Sequence, residues 1–414
     1  MTKPSFLVIG GGVIGAASAL RLSEAGHKVT LLDRRDFKRA ASYGNAGHLA
    51  AEQTEPLASL HNLMTFPARL FAFGGPLDLR VRDAAHWAPW AVRFARACTS
   101  QQSAAGAKAL GDLTSRAIEA WRELLAPLNA TSLLRESGHV VLWMDATKAA
   151  KGMRAWGRAD IGAASFTQLS KEERDAYRAV LRAPPAAGIR FSGTGQVTDP
   201  QALCEALLAA FTGRGGEIVR GEARSLSCTA DCAKVTLTSG DVLSAQNALV
   251  AAGVWSRELM ATLGVNAPLI AEHGYHIQSR KHDWPAALPT TVFEEHSIVV
   301  SHFTSGLRAT SFVELGAPDA RPDARKWRML QRHLTALGIT FSAQPDLWAG
   351  PRPTLPDYLP AIGRLKDRPN LFYAFGHQHL GLTLAAISAA LITDLAEERT
   401  SPLDLMPYRI ERFT

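Results

Sequence analysis

Cysteine is scarce and scattered. The four thiols, Cys98, Cys204, Cys228 and Cys232, form no CxxC pair and offer neither a disulfide framework nor a zinc pattern. Cys228 and Cys232 flank a turn around Asp231, where a plain hairpin is expected rather than a metal site. Charge is also modest: charged residues make up 20% of the chain, and 45 basic against 38 acidic side chains leave +7. The lysines and arginines are dispersed and no aromatic-basic cluster appears, which argues against nucleic acid; the surplus suits carboxylate substrates or an anionic surface. No continuous apolar run reaches bilayer length, and the longest, 381–392, reads as a buried helix. The apolar residues at the N-terminus belong to a folded unit, so no separate signal segment is expected. A cytoplasmic location is expected, with attachment to the inner face of a membrane left open. The chain has no Walker phosphate loop, serine-nucleophile elbow or HExxH helix, and its histidines are dispersed, so no metal is expected.

The chain does have a complete nucleotide-binding unit at its start. Phe6, Leu7, Val8 and Ile9 read as a buried strand, Gly10, Gly12 and Gly15 follow as G-x-G-x-x-G, and 14–25 has helical periodicity that stops at Gly26. Gly10 permits the turn, Gly12 leaves room for a pyrophosphate, and Gly15 lets the helix lie close to the sheet. The helix N-terminus then faces the phosphates. A second strand, 28–32, ends at Asp33, where a carboxylate accepts from a ribose 2′-OH and disfavours NADP, leaving NAD or FAD. Arg34 and Arg35 either fold over the adenine side or stand as solvated charges, the default for Arg35.

At 414 residues, with 47% hydrophobic composition, two domains are expected. A loop through Ser42, Gly44, Asn45, Ala46, Gly47 and His48 has side chains small enough to approach a flat ring closely. The stretch 52–102 is rich in Trp, Phe, Pro and His, with short helical patches broken by prolines; it reads equally as a cover over a pocket or as an irregular insertion. The spacing of Leu110, Leu113, Ala117, Trp121 and Leu124 predicts one amphipathic helix over 104–125. A strand is expected at 139–144, a helix capped by Ser170, and another capped by Asp199 with Pro200 at its first position. Strands and a hairpin follow over 217–237, then one strand over 244–252 ending at Gly253. Mainly antiparallel strands are expected over 267–315, a helix over 324–337, a strand over 371–375 and a helix over 384–397. Arg352 lies between two prolines in a segment short of charge. A guanidinium in such a stiff frame suits bidentate pairing with a carboxylate, with an internal ion pair or an exposed arginine as the alternatives.

Taken together, Gly10, Gly12, Gly15, Asp33, the 42–47 loop, the 250–256 segment, Arg352-Pro353, Pro356-Asp357, Ile362-Gly363 and Gly376-His377 with Gly381-Leu382-Thr383 resemble one family. The chain is similar over essentially its whole length to the D-amino-acid dehydrogenases, within the D-amino-acid, glycine and sarcosine oxidoreductase superfamily. The resemblance implies an α/β Rossmann-like FAD-binding domain over 1–80, 190–264 and 346–414. It also implies an α+β, mainly antiparallel substrate-binding domain over 81–189 and 265–345. It implies noncovalent FAD, since no cysteine matches a covalent link.

The contacts it implies for the dinucleotide are Gly10, Gly12, Val13, Ile14, Gly15 and Asp33, with Arg34 and Arg35. Nearer the flavin come Ser42, Gly44, Asn45, Ala46, Gly47 and His48, then Ala223, Ala252, Gly253 and Trp255, then Gly350 and Arg352. Gly376, His377, His379, Leu380, Gly381, Leu382 and Thr383 close the pyrimidine end. Arg352 matches the arginine that holds the substrate carboxylate. Tyr275, His48 and His276 either orient the amine or serve only as packing and satisfied polar contacts. The implied reaction moves a hydride from the nitrogen-bearing carbon of a small or cyclic D-amino acid to flavin N5, with D-proline or D-hydroxyproline favoured over D-alanine. A quinone or other electron acceptor then reoxidises the flavin. Glycine or sarcosine oxidation, or service as a flavoprotein subunit beside partner subunits, are the alternatives.

Overall fold

The computed structural model describes residues 3–34, 36–341 and 343–413. The strand Phe6–Ile9, all four residues buried, runs parallel to Val29–Asp33 on one side and Asn247–Val250 on the other. Glu217–Arg220 extends this sheet beyond Val29–Asp33, and Leu371–Phe375 extends it beyond Asn247–Val250, both in parallel register. Ala361–Arg364 closes the far edge antiparallel. The helices Val13–Glu24, Pro200–Gly213 and Gly381–Ala396 share a core through Ala16, Ala17, Leu20, Leu207, Leu384 and Ala385. Alanines on both faces let the first and last helices approach closely. Asp199 Oδ1 caps the second of the three, accepting from the backbone N–H of Gln201 and Ala202. A meander of Ala223–Cys228, Ala233–Leu237 and Val242–Ala245 contributes Leu226 and Val235 to the core that also holds Ile9 and Val250.

The second large sheet runs Asp346–Thr354, Ile270–Ser279, Gly306–Gly316, Ile298–Phe303, Thr290–Phe293, His139–Trp143, Ala187–Ser192, Ser165–Gln168. Its pairs are antiparallel except Thr290–Phe293 with His139–Trp143, and Leu77–Leu79 adds a parallel pairing to Gly306–Gly316. The α/β plus mainly antiparallel architecture is the expected fold class.

Four local expectations change. The single helix over 104–125 is two, Ser100–Thr114 and Ala117–Leu125. The hydroxyls of Thr114 and Ser115 donate to the carbonyls of Gly111 and Asp112 and compete with the helical ladder at the break. The apolar stripe still continues across it into the core shared with Gly381–Ala396. The stretch expected to be broken by prolines contains one 14-residue helix, Ala84–Ala97, with Pro89 inside it. The missing N–H leaves the carbonyl of Ala85 without its helical donor, at a position exposed to solvent. The strand over 244–252 is divided at Gln246, where the chain passes from the meander to the parallel sheet. Gln246 is fixed there by the backbone N–H of Ser5 donating to its Oε1 at 2.9 Å. The last helix begins at Gly381, and residues 378–396 are long and apolar enough to cross a bilayer by composition, although 67% of that window is buried inside the protein.

Candidate active site

One long cavity lies between the two sheets, walled by the first glycine turn, the 42–48 loop and the strand that carries Arg352. Gly10 has φ +108°, and a Cβ there would meet the carbonyl oxygen of Ala251 at 2.5 Å; a Cβ on Gly15 would lie 1.8 Å from the oxygen of Gly10. These two glycines therefore set how closely the helix approaches the sheet. Gly12 caps the helix with no side-chain bond and no acid in the first turn, and a Cβ there would meet only Ser42 Oγ, at 3.4 Å. Gly253, φ +59°, would place a Cβ in open space. Both positions leave backbone exposed to the cavity at a helix N-terminus, as a pyrophosphate requires. Asp33 stands at the wall with Oδ2 accepting from the backbone N–H of Gly11 at 2.7 Å. Arg34 pairs with Glu222 at 3.2 Å and lies 4.0 Å from the centroid of the Trp255 ring, so it is braced along the adenine side. Arg35 lies outside the described residues.

The 42–48 loop is held from behind by Arg308, which the sequence offered only as an alternative to Arg352 for holding a substrate carboxylate. Arg308, buried, donates through Nη1 to the carbonyls of Tyr43 at 2.7 Å and Asn45 at 2.6 Å, and through Nε to Gln278 at 2.8 Å. Burial pushes its guanidinium down to about 10. Ser301 Oγ donates to the carbonyl of Ala46, and the N–H of Ala50 donates to Thr383 Oγ1. A Cβ on Gly44 would fall 1.9 Å from the Trp348 ring, and one on Gly47 2.3 Å from the Phe303 ring. Only glycine lets the loop lie this flat.

Of the expected contacts, Val13, Ile14, Ser42, Gly44, Asn45, Ala46 and His48 line the cavity. So do Ala223, Ala252, Gly253, Trp255, Arg352, His377, His379, Gly381 and Leu382. Gly15, Gly47, Gly350, Gly376, Leu380 and Thr383 do not line it. They support it: Gly350 makes room for the Trp348 ring and Gly376, at φ +80°, for Leu355.

Tyr275 and His276 also stand away from the wall. Tyr275 is buried, with its hydroxyl donating to Glu314 and accepting from the N–H of Asp323, and His276 stacks on Trp348 at 5.0 Å. The residue on their strand that does reach the cavity is Glu272. It lies 3.5 Å from Arg352 Nη1, and its other oxygen accepts from Thr354 and Tyr358. Arg352 Nη1 also donates to the carbonyl of Phe312 at 3.3 Å. A Cβ on Gly274 would lie 2.1 Å from Arg352 Nη2, so this glycine gives the guanidinium its space. Gln53 and His379, 2.5 Å apart, and Arg69 complete the polar wall, with Thr310, Ser311 and Phe312 opposite on the sheet. Burial lowers His377 and His379 to about 3, so both act as neutral imidazoles.

Cys98 and Cys204 are buried in the cores and Cys228 and Cys232 are on the meander; none lines the cavity, so no thiol is placed for a covalent flavin bond. A protein named D-amino-acid oxidase from Bradyrhizobium diazoefficiens is 28% identical over 422 residues, covering 98% of each chain. A D-amino acid dehydrogenase from Paramagnetospirillum magneticum is 28% identical over 425 residues, covering 99% of this chain and 98% of that one. The crystal structure of glycine oxidase from Geobacillus kaustophilus superposes with a TM-score of 0.75 at 21% identity, covering 99% of both chains. L-proline dehydrogenase from P. horikoshii superposes at 0.73 with 15% identity over 99% of this chain and 98% of that one. At these identities the two structural likenesses speak to the fold alone. The profile of the DAO family, FAD dependent oxidoreductase, matches residues 5–395. A match of that extent, on a chain whose glycine turn and thiol-free cavity suit a noncovalent flavin dinucleotide, means that the chain belongs to the DAO family of FAD dependent oxidoreductases.

Proposed function

We propose that this flavoenzyme dehydrogenates a small or cyclic D-amino acid, with D-proline or a D-hydroxyproline preferred to D-alanine, and passes the electrons to a quinone or similar acceptor. Arg352 is the observation that carries this reading. It is a cavity-wall guanidinium held by the Phe312 carbonyl and Glu272, on the antiparallel-sheet side of a flavin-sized cleft. Its planar fork matches a carboxylate, and a substrate held there presents its neighbouring carbon in one orientation. Bound FAD supplies the acceptor for the hydride. The substrate nitrogen must be unprotonated for its lone pair to drive that transfer. Phe312 gives an apolar surface to a compact aliphatic or ring side chain. The names of the relatives, D-amino-acid oxidase and D-amino acid dehydrogenase, agree with this class.

The domain division carries the same proposal, with the FAD side formed by 1–80, 190–264 and 346–414 and the substrate side by 81–189 and 265–345; the strand Asp346–Thr354 reaches from the FAD segments into the antiparallel sheet, where it pairs with Ile270–Ser279. A position at the inner face of the membrane is part of the reading too. Met64 at 79%, Phe73 at 76% and Val81 at 87% exposure are large apolar side chains open to solvent within one segment of the chain, which is what supports that reading. The test is a panel of D-amino acids, L-proline, glycine and sarcosine, assayed with a quinone analogue and with oxygen. Preferential turnover of D-proline or D-hydroxyproline with the quinone analogue is expected. Preferential turnover of glycine or sarcosine with oxygen would move the assignment to an amine oxidase.

A further inference from the structure

Three side chains from separate parts of the chain converge just behind the cavity wall. His48 lies on the short strand His48–Leu49, Glu52 in the turn that follows, and His139 at the start of His139–Trp143. Nε2 of His48 is 3.7 Å from Glu52 Oε2, and Nε2 of His139 is 3.8 Å from Glu52 Oε1. The three ligand atoms all fall within 4.8 Å of one another. The Glu52 and His139 side chains are each 2% exposed and that of His48 11%. These separations are too long for hydrogen bonds. Glu52 Oε2 and His48 Nε2 are buried with no hydrogen-bond partner among the described residues. Buried polar atoms of this kind almost always have one, so a group that binds them is called for.

No lysine or arginine among the described residues forms an ion pair with Glu52. A second gathering of acids shows the contrast. Asp78, Glu314 and Asp323 converge in the same manner, but the Lys326 ammonium sits among them and serves as their cation.

We infer that His48, Glu52 and His139 form a binding site for a divalent transition-metal ion of the zinc type. Two imidazole nitrogens and one carboxylate are a recurrent protein ligand set for Zn²⁺, which keeps a further position for water. Bonds of about 2.0–2.1 Å opened to roughly 120–130° place donor atoms about 3.5–3.8 Å apart, the separation of each histidine nitrogen from its Glu52 oxygen. The surroundings of His139 suit a ligand. Its Nδ1 lies 2.9 Å from Thr194 Oγ1 and its ring stacks on Phe191 at 4.4 Å, which fixes the ring and leaves Nε2 to face Glu52. Because His48 lines the cavity, an ion bound here fixes that ring in the wall of the flavin site. None of the three residues forms a local metal motif, so the site is assembled only by the fold. The inference does not depend on which amine the enzyme oxidises.

The test uses FAD-loaded protein purified without a histidine tag and without chelator. Plasma mass spectrometry is expected to find close to one zinc or iron per chain. After the metal is stripped, calorimetric titration with Zn²⁺ should show one saturable site, and X-ray absorption at the zinc edge should show two imidazoles. Glu52→Gln, which keeps the side chain's shape, should weaken Zn²⁺ by about tenfold or more. His139→Ala should abolish the site. Cys228→Ser combined with Cys232→Ser should leave metal content unchanged, which separates this site from the two half-buried thiols of the meander. Substoichiometric metal in the parent together with no saturable heat overturns the inference and leaves a water-bridged polar cluster. Unchanged zinc affinity in Glu52→Gln overturns it as well, and that variant decides the matter alone if His139→Ala does not fold.

Discussion

Arg352 Nη1 donates to the carbonyl of Phe312 across 3.3 Å, and Phe312 holds a φ of +65° in the middle of its strand. A bulky residue keeps that conformation, at a cost of about 1–3 kcal/mol, only where its surroundings fix it. The pairing register between the strands Ile270–Ser279 and Gly306–Gly316 shifts between His273 and Tyr275. Local distortion here is associated with a carbonyl aimed at the arginine. Arg352 is thus set in place by the fold before any substrate arrives.

The first prediction follows from that placement. Arg352→Ala should retain FAD, because the glycine turn and the 42–48 loop are intact, yet lose roughly one to four powers of ten in kcat/KM toward an amino acid. Arg352→Lys restores charge without the planar fork and should stay clearly impaired. An amine without a carboxylate should react slowly and nearly equally in parent and variants. Steady-state kinetics of the three proteins decide it; near-parent efficiency in both variants would remove Arg352 from the role of anchor.

Arg308 should give the opposite pattern. Its guanidinium binds the carbonyls of Tyr43 and Asn45, so Arg308→Ala leaves two loop carbonyls and Gln278 without their donor. Losing hydrogen bonds to a charged group costs about 1.5–3 kcal/mol each. The expected result is FAD affinity lowered by roughly tenfold or more, measured by reconstitution of apoprotein. Arg308→Lys cannot span the three acceptors and should recover little. An Arg308→Ala protein that binds FAD as tightly as the parent would show that the loop is held by Ser301 and Thr383 instead.

Two glycines separate folding from cofactor binding. On Gly15→Ala the new methyl falls 1.8 Å from the Gly10 oxygen, so the helix must move off the sheet and the apoprotein should lose stability by several kcal/mol. Gly253→Ala meets no protein atom within 4 Å and bears mainly the left-handed backbone penalty of about 1–2 kcal/mol. Gly253 lines the cavity, so the larger effect should be on FAD affinity. Thermal unfolding of both apoproteins beside FAD titrations tests the contrast.

How much of this could be read in advance depended on whether a residue's role was local. The strand, glycine turn, helix and acid from Phe6 to Asp33 are specified by periodicity and by glycine positions that turn geometry demands. The caps at Ser170 and Asp199 were equally local. Tyr275 and His276 were not: side chains alternate along a strand, and which of them reach a cavity depends on the neighbouring strands and on the register shift after His273. That strand presents Glu272 to the cavity and buries Tyr275. The contact of Arg308 with the 42–48 loop and the approach of Glu52 to His139 were not legible for the same reason, since each partner comes from a distant segment.

The last prediction concerns acid. Burial lowers His377 to about 3, and it lowers His379, beside the positive charge of Arg352, to about 3 as well. An unfolded histidine titrates near its ordinary value of 6.5. Between those limits the unfolded chain takes up protons that the native protein refuses, so stability is present in full above pH 6.5 and falls as pH drops toward 3. Each histidine contributes about 1.4 kcal/mol per pH unit in that window, or about 4 kcal/mol for the pair at pH 5. The melting temperature of the FAD-loaded protein should therefore fall steeply between about pH 6.5 and pH 5. His377→Gln loses the contact of Nε2 with Ser388 Oγ at 2.9 Å and should melt lower at neutral pH. It also loses one titrating site, so its melting temperature should decline less over the same interval. An equally steep decline in the variant would show that His377 is protonated in the native state at mildly acid pH, and that carboxylates elsewhere dominate the acid limb.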